Sequence, residues 1–292
     1  MRVTPSVRSG WLGCLLLASQ AVWAYDGKDH QFLTFLAAKQ FNRCVEGTDT
    51  PPLTPLQVRY MARANASLVE RSMIARMFNW RYYDQSDHSE HSFLWLVDTR
   101  FHGHYQDLSA RLQNAEGTVE AYQDLGRLVS YVQMVTSPAR AVPVYVARFW
   151  RFSFSDRFDG YPLDEVALTA AVEGDCAFLD AQDDSYDAVL TETANRTLAA
   201  VREPIDGLPA SWTAFWMPSR DPGSFGDYGP AGNAFGKRTE FRCGNGQRCV
   251  LLQDDPLYRD FARARHLDAV RGTQAAMLIM QSAFSDTVAS AR

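Results

Sequence analysis

Apolar residues recur at helical spacing in five separated stretches, and that periodicity confines the chain to a mainly α fold. The clearest stretch runs from about Thr118 to Val135, where Leu125, Leu128, Val129, Val132 and Val135 form one stripe. Phe32, Leu33, Leu36, Ala37 and Phe41 mark an earlier helix. Thr54-Pro55 opens another, with Thr54 as the cap, Pro55 in the first position, and Val58, Met61, Ala62, Leu68 and Ile74 as its apolar members. A fourth covers roughly Ser185 to Val201, and the last begins at Asp254-Asp255-Pro256 and runs towards Phe284. Repeats, heptads and low-complexity runs are absent from the sequence.

Residues 1–24 read as a secretory signal peptide. Arg2 and Arg8 supply the positive start, Trp11 to Ala18 the short apolar run, and Ala21-Val22-Trp23-Ala24 the cleavage region. The run is too short to span a membrane, and no second such stretch follows. Cys14 inside the run leaves a lipoprotein anchor as the weaker alternative. Residues 25–292 then form one mature domain, exported to the periplasm or the medium, with no transmembrane anchor after cleavage.

Removal of Cys14 leaves an even number of cysteines, which in an exported chain favours disulfides. Cys243 and Cys249 flank Gly244-Asn245-Gly246-Gln247-Arg248, a natural turn between two short extended runs, so they pair with each other. A zinc knuckle is the alternative for that pair, although no second ligand pair lies close by. Cys44 and Cys176 are paired by elimination.

Between Pro204 and Leu252 proline, glycine and aromatics accumulate, among them Trp212, Phe215, Trp216, Phe225, Tyr228 and Phe235. This segment, residues 204–252, reads as a long insertion carrying the small stapled hairpin. Its aromatics either pack on the helices as an irregular cap or serve function directly. A composition of 46% hydrophobic and 22% charged residues suits a globular domain. The net charge of −5 argues against general nucleic-acid binding but leaves room for a local basic pocket.

Ser130-Tyr131-Val132-Gln133-Met134-Val135-Thr136-Ser137-Pro138-Ala139-Arg140 resembles the metal-binding helix of zinc-dependent phospholipases C and the single-strand-specific zinc nucleases, which reads H-Y-x-x-D-x-x-x-P-x-H. Tyr131 and Pro138 match. The three ligand positions hold Ser130, Met134 and Arg140. Other segments match in order. His30-Gln31-Phe32-Leu33-Thr34-Phe35-Leu36-Ala37 is similar to the family's first helix and keeps His30 as the one clear ligand. Cleavage after Ala24 would put Tyr25 where the family has an amino-terminal Trp that binds metal through its own backbone. Arg81-Tyr82-Tyr83-Asp84 resembles the family's His-aromatic-aromatic-Asp segment with Arg in the His position. The preceding family Asp has no clear counterpart; Asn65 and Glu70 lie nearby. Ser155-Asp156-Arg157-Phe158-Asp159 keeps at most the acid of the family's H-x-x-x-E pair, as Asp159, and residues 264–276 resemble the closing helix.

The resemblance implies an all-α, multi-helix bundle of the phospholipase C/nuclease type with a disulfide-closed hairpin insertion. In that family metal-activated water hydrolyses a phosphodiester. A hydroxyl, a thioether and a guanidinium do not replace imidazole and carboxylate zinc ligands. The expectation is therefore an exported, catalytically impaired relative without a cofactor, binding an anionic ligand or a partner through the former cleft, zinc being required only if it is active. Arg81 and Arg140 would turn the cleft, with Asp84, Asp159 and Ser130, into a pocket for an anionic or phosphate-containing ligand such as a phospholipid head group. The plainer alternative is that these arginines neutralise leftover acids in internal salt bridges. Two further readings stay open. One is an active phosphodiester hydrolase whose metal site is rebuilt from His30, His88, His91, His102, His104 and nearby acids. The other is a structural or inhibitory envelope protein that uses residues 204–252. No G-x-S-x-G is present, and the glycine-rich loops lack the strand–helix context of a phosphate loop.

Overall fold

Helix capping and amphipathic burial account for the order of elements. A computed structural model describes residues 27–69, 82–83, 101–115, 117–144, 156–180, 185–220, 225–244 and 246–290. The expectations placed on residues 1–24, Tyr25, Ile74, Arg81, Asp84, His88, His91 and Ser155 lie outside the described residues. The described part is mostly helical: α1 (Gly27–Cys44), α2 (Pro55–Val69), α3 (Phe101–Gln113), α4 (Val119–Met134), α5 (Pro138–Ala141), α6 (Glu165–Val172), α7 (Tyr186–Arg202) and α8 (Pro256–Ser290). Two short antiparallel pairs accompany them: β1 (Trp216–Met217) with β2 (Asp227–Tyr228), and β3 (Thr239–Arg242) with β4 (Arg248–Leu251).

The helix starts follow from local chemistry. Thr54 and Gln57 form a reciprocal capping box: the Thr54 amide donates to Gln57 Oε1 (2.7 Å) and the Gln57 amide to Thr54 Oγ1 (3.4 Å). Thr118, Asp164 and Ser185 cap α4, α6 and α7 through their side chains. The α4 stripe predicted from spacing is fully buried, with Leu125, Leu128, Val129, Val132 and Val135 each at 0% exposure. α4 packs against α1, α2, α3, α7 and α8, so it is the central rod of the bundle. Gly126 is what lets α2 approach so closely: a Cβ there would stand 2.2 Å from the Met61 carbonyl oxygen.

A second apolar cluster joins α5, the end of α7 and the start of α8 to residues 204–252. Phe158, Trp212, Phe215, Trp216, Phe235, Tyr258 and Phe261 pack mostly edge-to-face or tilted within it, with Trp216 stacked on Phe261. The aromatics of the Pro/Gly-rich segment are thus largely core, with Met217 and Phe225 left exposed. Cys44 bonds Cys176, tying α1 to the loop before α7, and Cys243 bonds Cys249 across the β3–β4 ribbon, with Cα–Cα separations of 5.5 and 5.9 Å. Both pairings are those expected from the sequence. Gly246 takes φ +77°, which the turn between β3 and β4 requires and a side chain would resist.

Two local expectations change. His102 and His104, offered above as ligands of a rebuilt metal site, lie on helix α3. Residues two apart on a helix do not share a face, so they are not a chelating pair. Asp159, matched to the acid of the family's H-x-x-x-E pair, lies in a short 3-10 turn at Phe158–Gly160.

Candidate functional site

Every residue from Leu128 to Pro138 is buried, because the end of α4 is surrounded by other helices. Polar side chains there must find partners inside the protein. Gln133 does so at all its polar atoms. Its Oε1 lies 2.6 Å from His30 Nδ1 and accepts from Asn65 Nδ2 at 2.9 Å. Its Nε2 donates to Thr34 Oγ1 (3.3 Å) and Thr273 Oγ1 (3.1 Å). Asn65 also donates to Thr34 Oγ1 (2.9 Å), and the two threonine hydroxyls donate onward to the His30 and Ala269 carbonyls. Because Oε1 only accepts, this arrangement puts a proton on His30 Nδ1. One side chain thereby links α1, α2, α4 and α8.

Of the positions that the resemblance assigns to metal, this hub contains His30 alone, with Asn65 beside it. His30 sits in it at 1% exposure, with Asn65 and Ser130 at 0%. Among the described residues Ser130 Oγ and Asn65 Oδ1 have no hydrogen-bond partner. Met134 is buried at the last position of α4. An imidazole Nε2, an amide, a hydroxyl and a thioether are not a zinc donor set, so these residues do not fit the metal. No group of three or more His, Cys, Asp or Glu suited to a metal ion occurs among the described residues.

Arg140 lies on α5, half-buried, and its carbonyl accepts the Tyr83 amide at 2.9 Å. That bond brings the Tyr82-Tyr83 pair alongside the arginine, and Tyr82 in turn packs on Phe225, with ring centroids 4.7 Å apart. Asp159 comes close to the same helix by another route. Its Oδ1 accepts from Ser137 Oγ at 2.5 Å, and it makes no ion pair among the described residues.

Asp156, passed over in the sequence, anchors the insertion. Its carboxylate accepts from Trp216 Nε1 (3.0 Å), the Tyr228 hydroxyl (2.7 Å) and the Phe158 amide (2.8 Å). Burial, and secondarily the charge of Asp159, push its pKa up to about 6. His266, buried beside Phe158, is pushed down to about 3, first by burial and then by Arg265. It borders a groove of about 470 Å³ between α6 and α8, also lined by Tyr161, Glu165, Arg259 and Arg263. Gln133, Thr34, Thr273 and Asp156 were not singled out by sequence. The one available signal was a polar Gln within an apolar helix.

Neither a family model, nor a curated protein, nor a solved structure matches the chain. No helix among the described residues is long and apolar enough to cross a membrane.

Proposed function

We propose that the chain is an exported, catalytically impaired relative of the phospholipase C and zinc-nuclease fold, which binds an anionic ligand through the former cleft. The observation that carries this reading is the Gln133 hub. It joins His30 to amides and hydroxyls where hydrolysis would need several metal ligands on one centre. Two disulfides are in keeping with an oxidising compartment. The cationic element of the cleft is Arg140, beside the Tyr82-Tyr83 segment that follows Arg81 in sequence. A guanidinium there would grip a phosphate in bidentate fashion.

The test combines metal analysis of the mature protein with calorimetric titration of inorganic phosphate and phosphocholine. The expected result is no stoichiometric zinc, together with binding that weakens at least roughly tenfold when Arg81 and Arg140 are both changed to Met. Stoichiometric zinc with phosphodiesterase activity would overturn the first half. Absent or unchanged binding would overturn the second.

A further inference from the structure

The β3–β4 ribbon presents two unlike faces. Thr239, Phe241, Cys249 and Leu251 turn inward and are buried in the second core, which fixes the ribbon to the body. Glu240, Arg242, Arg248 and Val250 turn outward, Glu240 opposite Val250 and Arg242 opposite Arg248. Like charges directly across an antiparallel pair repel, so the last pairing costs stability unless an anion relieves it. Glu240 is shared between Arg238 (3.1 Å) and Arg248. Arg242 has no ion pair among the described residues. Residues 237–252 carry four cations and one anion on a chain of net charge −5. Beside these cations Leu252 is 60% exposed and Val250 36%.

We propose that this outer face docks on an anionic lipid surface, the arginines meeting phosphates and Leu252 and Val250 entering the interface. A bilayer matches both components at once, since it offers a plane of negative charge over an apolar layer. The ribbon is paired along its length and closed by a disulfide, so docking requires little ordering. Each cation near such a surface strengthens partitioning about fivefold. This inference is independent of the cleft and of the fate of the metal centre.

The test is sedimentation of the mature, oxidised protein with phosphatidylglycerol–phosphatidylcholine vesicles, against phosphatidylcholine alone. The protein should bind only the anionic vesicles and release at high salt. The double variant Arg242→Gln/Arg248→Gln should bind roughly twenty-five-fold more weakly. Arg242→Lys/Arg248→Lys should bind like the parent, which separates lost charge from lost fold, and matched circular dichroism and melting temperatures check the same point. Failure of the parent protein to bind anionic vesicles would overturn the proposal, as would unchanged binding by the double Gln variant. Capture by soluble polyglutamate without vesicle binding would point to an acidic protein instead. Self-association lost in the double variant would point to a second copy of the chain.

Discussion

Replacing Gln133 with Met tests whether the hub holds the bundle together. Methionine nearly matches glutamine in length and volume, so the change leaves little cavity. What it removes is specific: the acceptor for His30 Nδ1, one of two acceptors of Asn65 Nδ2, and donors to Thr34 and Thr273. The two threonines keep their carbonyl acceptors on His30 and Ala269, and Asn65 keeps Thr34. The main loss is therefore the Gln133 acceptor of the His30 ring N–H, at 1% exposure. An unsatisfied buried donor costs about 1–3 kcal/mol, and the lesser loss at Asn65 brings the expected total to about 2–4 kcal/mol. For a domain of this size that corresponds to a drop in melting temperature of about 5–15 °C. Calorimetric unfolding of the oxidised protein measures it, and NMR of the imidazole nitrogens reports whether His30 still presents a protonated Nδ1. A drop smaller than about 2 °C, with the His30 tautomer unchanged, would refute the reasoning, because the buried amide would then not be holding the ring.

The two disulfides should contribute unequally. Cys44–Cys176 spans a sequence separation of 132 and Cys243–Cys249 one of 6, so the loop-entropy account gives about 5 and about 2 kcal/mol respectively. Paired Cys→Ser variants compared by denaturant midpoint check the order, and equal losses would contradict it. Acid stability has two opposed contributions. Asp156 sits at about 6 in the folded chain against 3.8 unfolded, so the folded state takes up its proton first and gains stability as pH falls from about 6 towards 4. Asp156→Asn should lose that gain, and a melting-temperature difference that stays constant across this window would refute it. His266 acts the other way. It stays neutral down to about 3 when folded but titrates near 6.5 when unfolded, so stability is lost as pH falls between those values. His266→Phe should lessen this acid loss in a pH series of melting curves.

The elements that depend on near neighbours were legible. α4 and α7 begin and end within a residue of the periodicity reading, because stripe and cap are set within a turn or two of the chain. The stapled hairpin was equally plain, since its turn residues and both cysteines lie within a few positions of each other. The short helices α5 and α6 were not, because each carries too little periodic pattern to stand out from a loop, whereas α3 has a helical stripe at Phe101, Tyr105, Leu108 and Leu112 that the sequence reading passed over. His30 and Ser130 were singled out one at a time through the resemblance, but their surroundings were not legible.

What the sequence alone determined, then, is a mainly helical chain with a hydrophobic seam on residues 118–135 and a disulfide-closed ribbon. Only the tertiary structure decided which buried polar groups meet one another. The hub's hydrogen bonds join residues 31 to 140 positions apart, and Asp156 reaches Trp216 and Tyr228 across 60 and 72. A side-chain amide reads the same in sequence whether it faces water or fills a core. Burial by helices from across the chain is what turns Gln133 from an interruption in an apolar stripe into its central polar link.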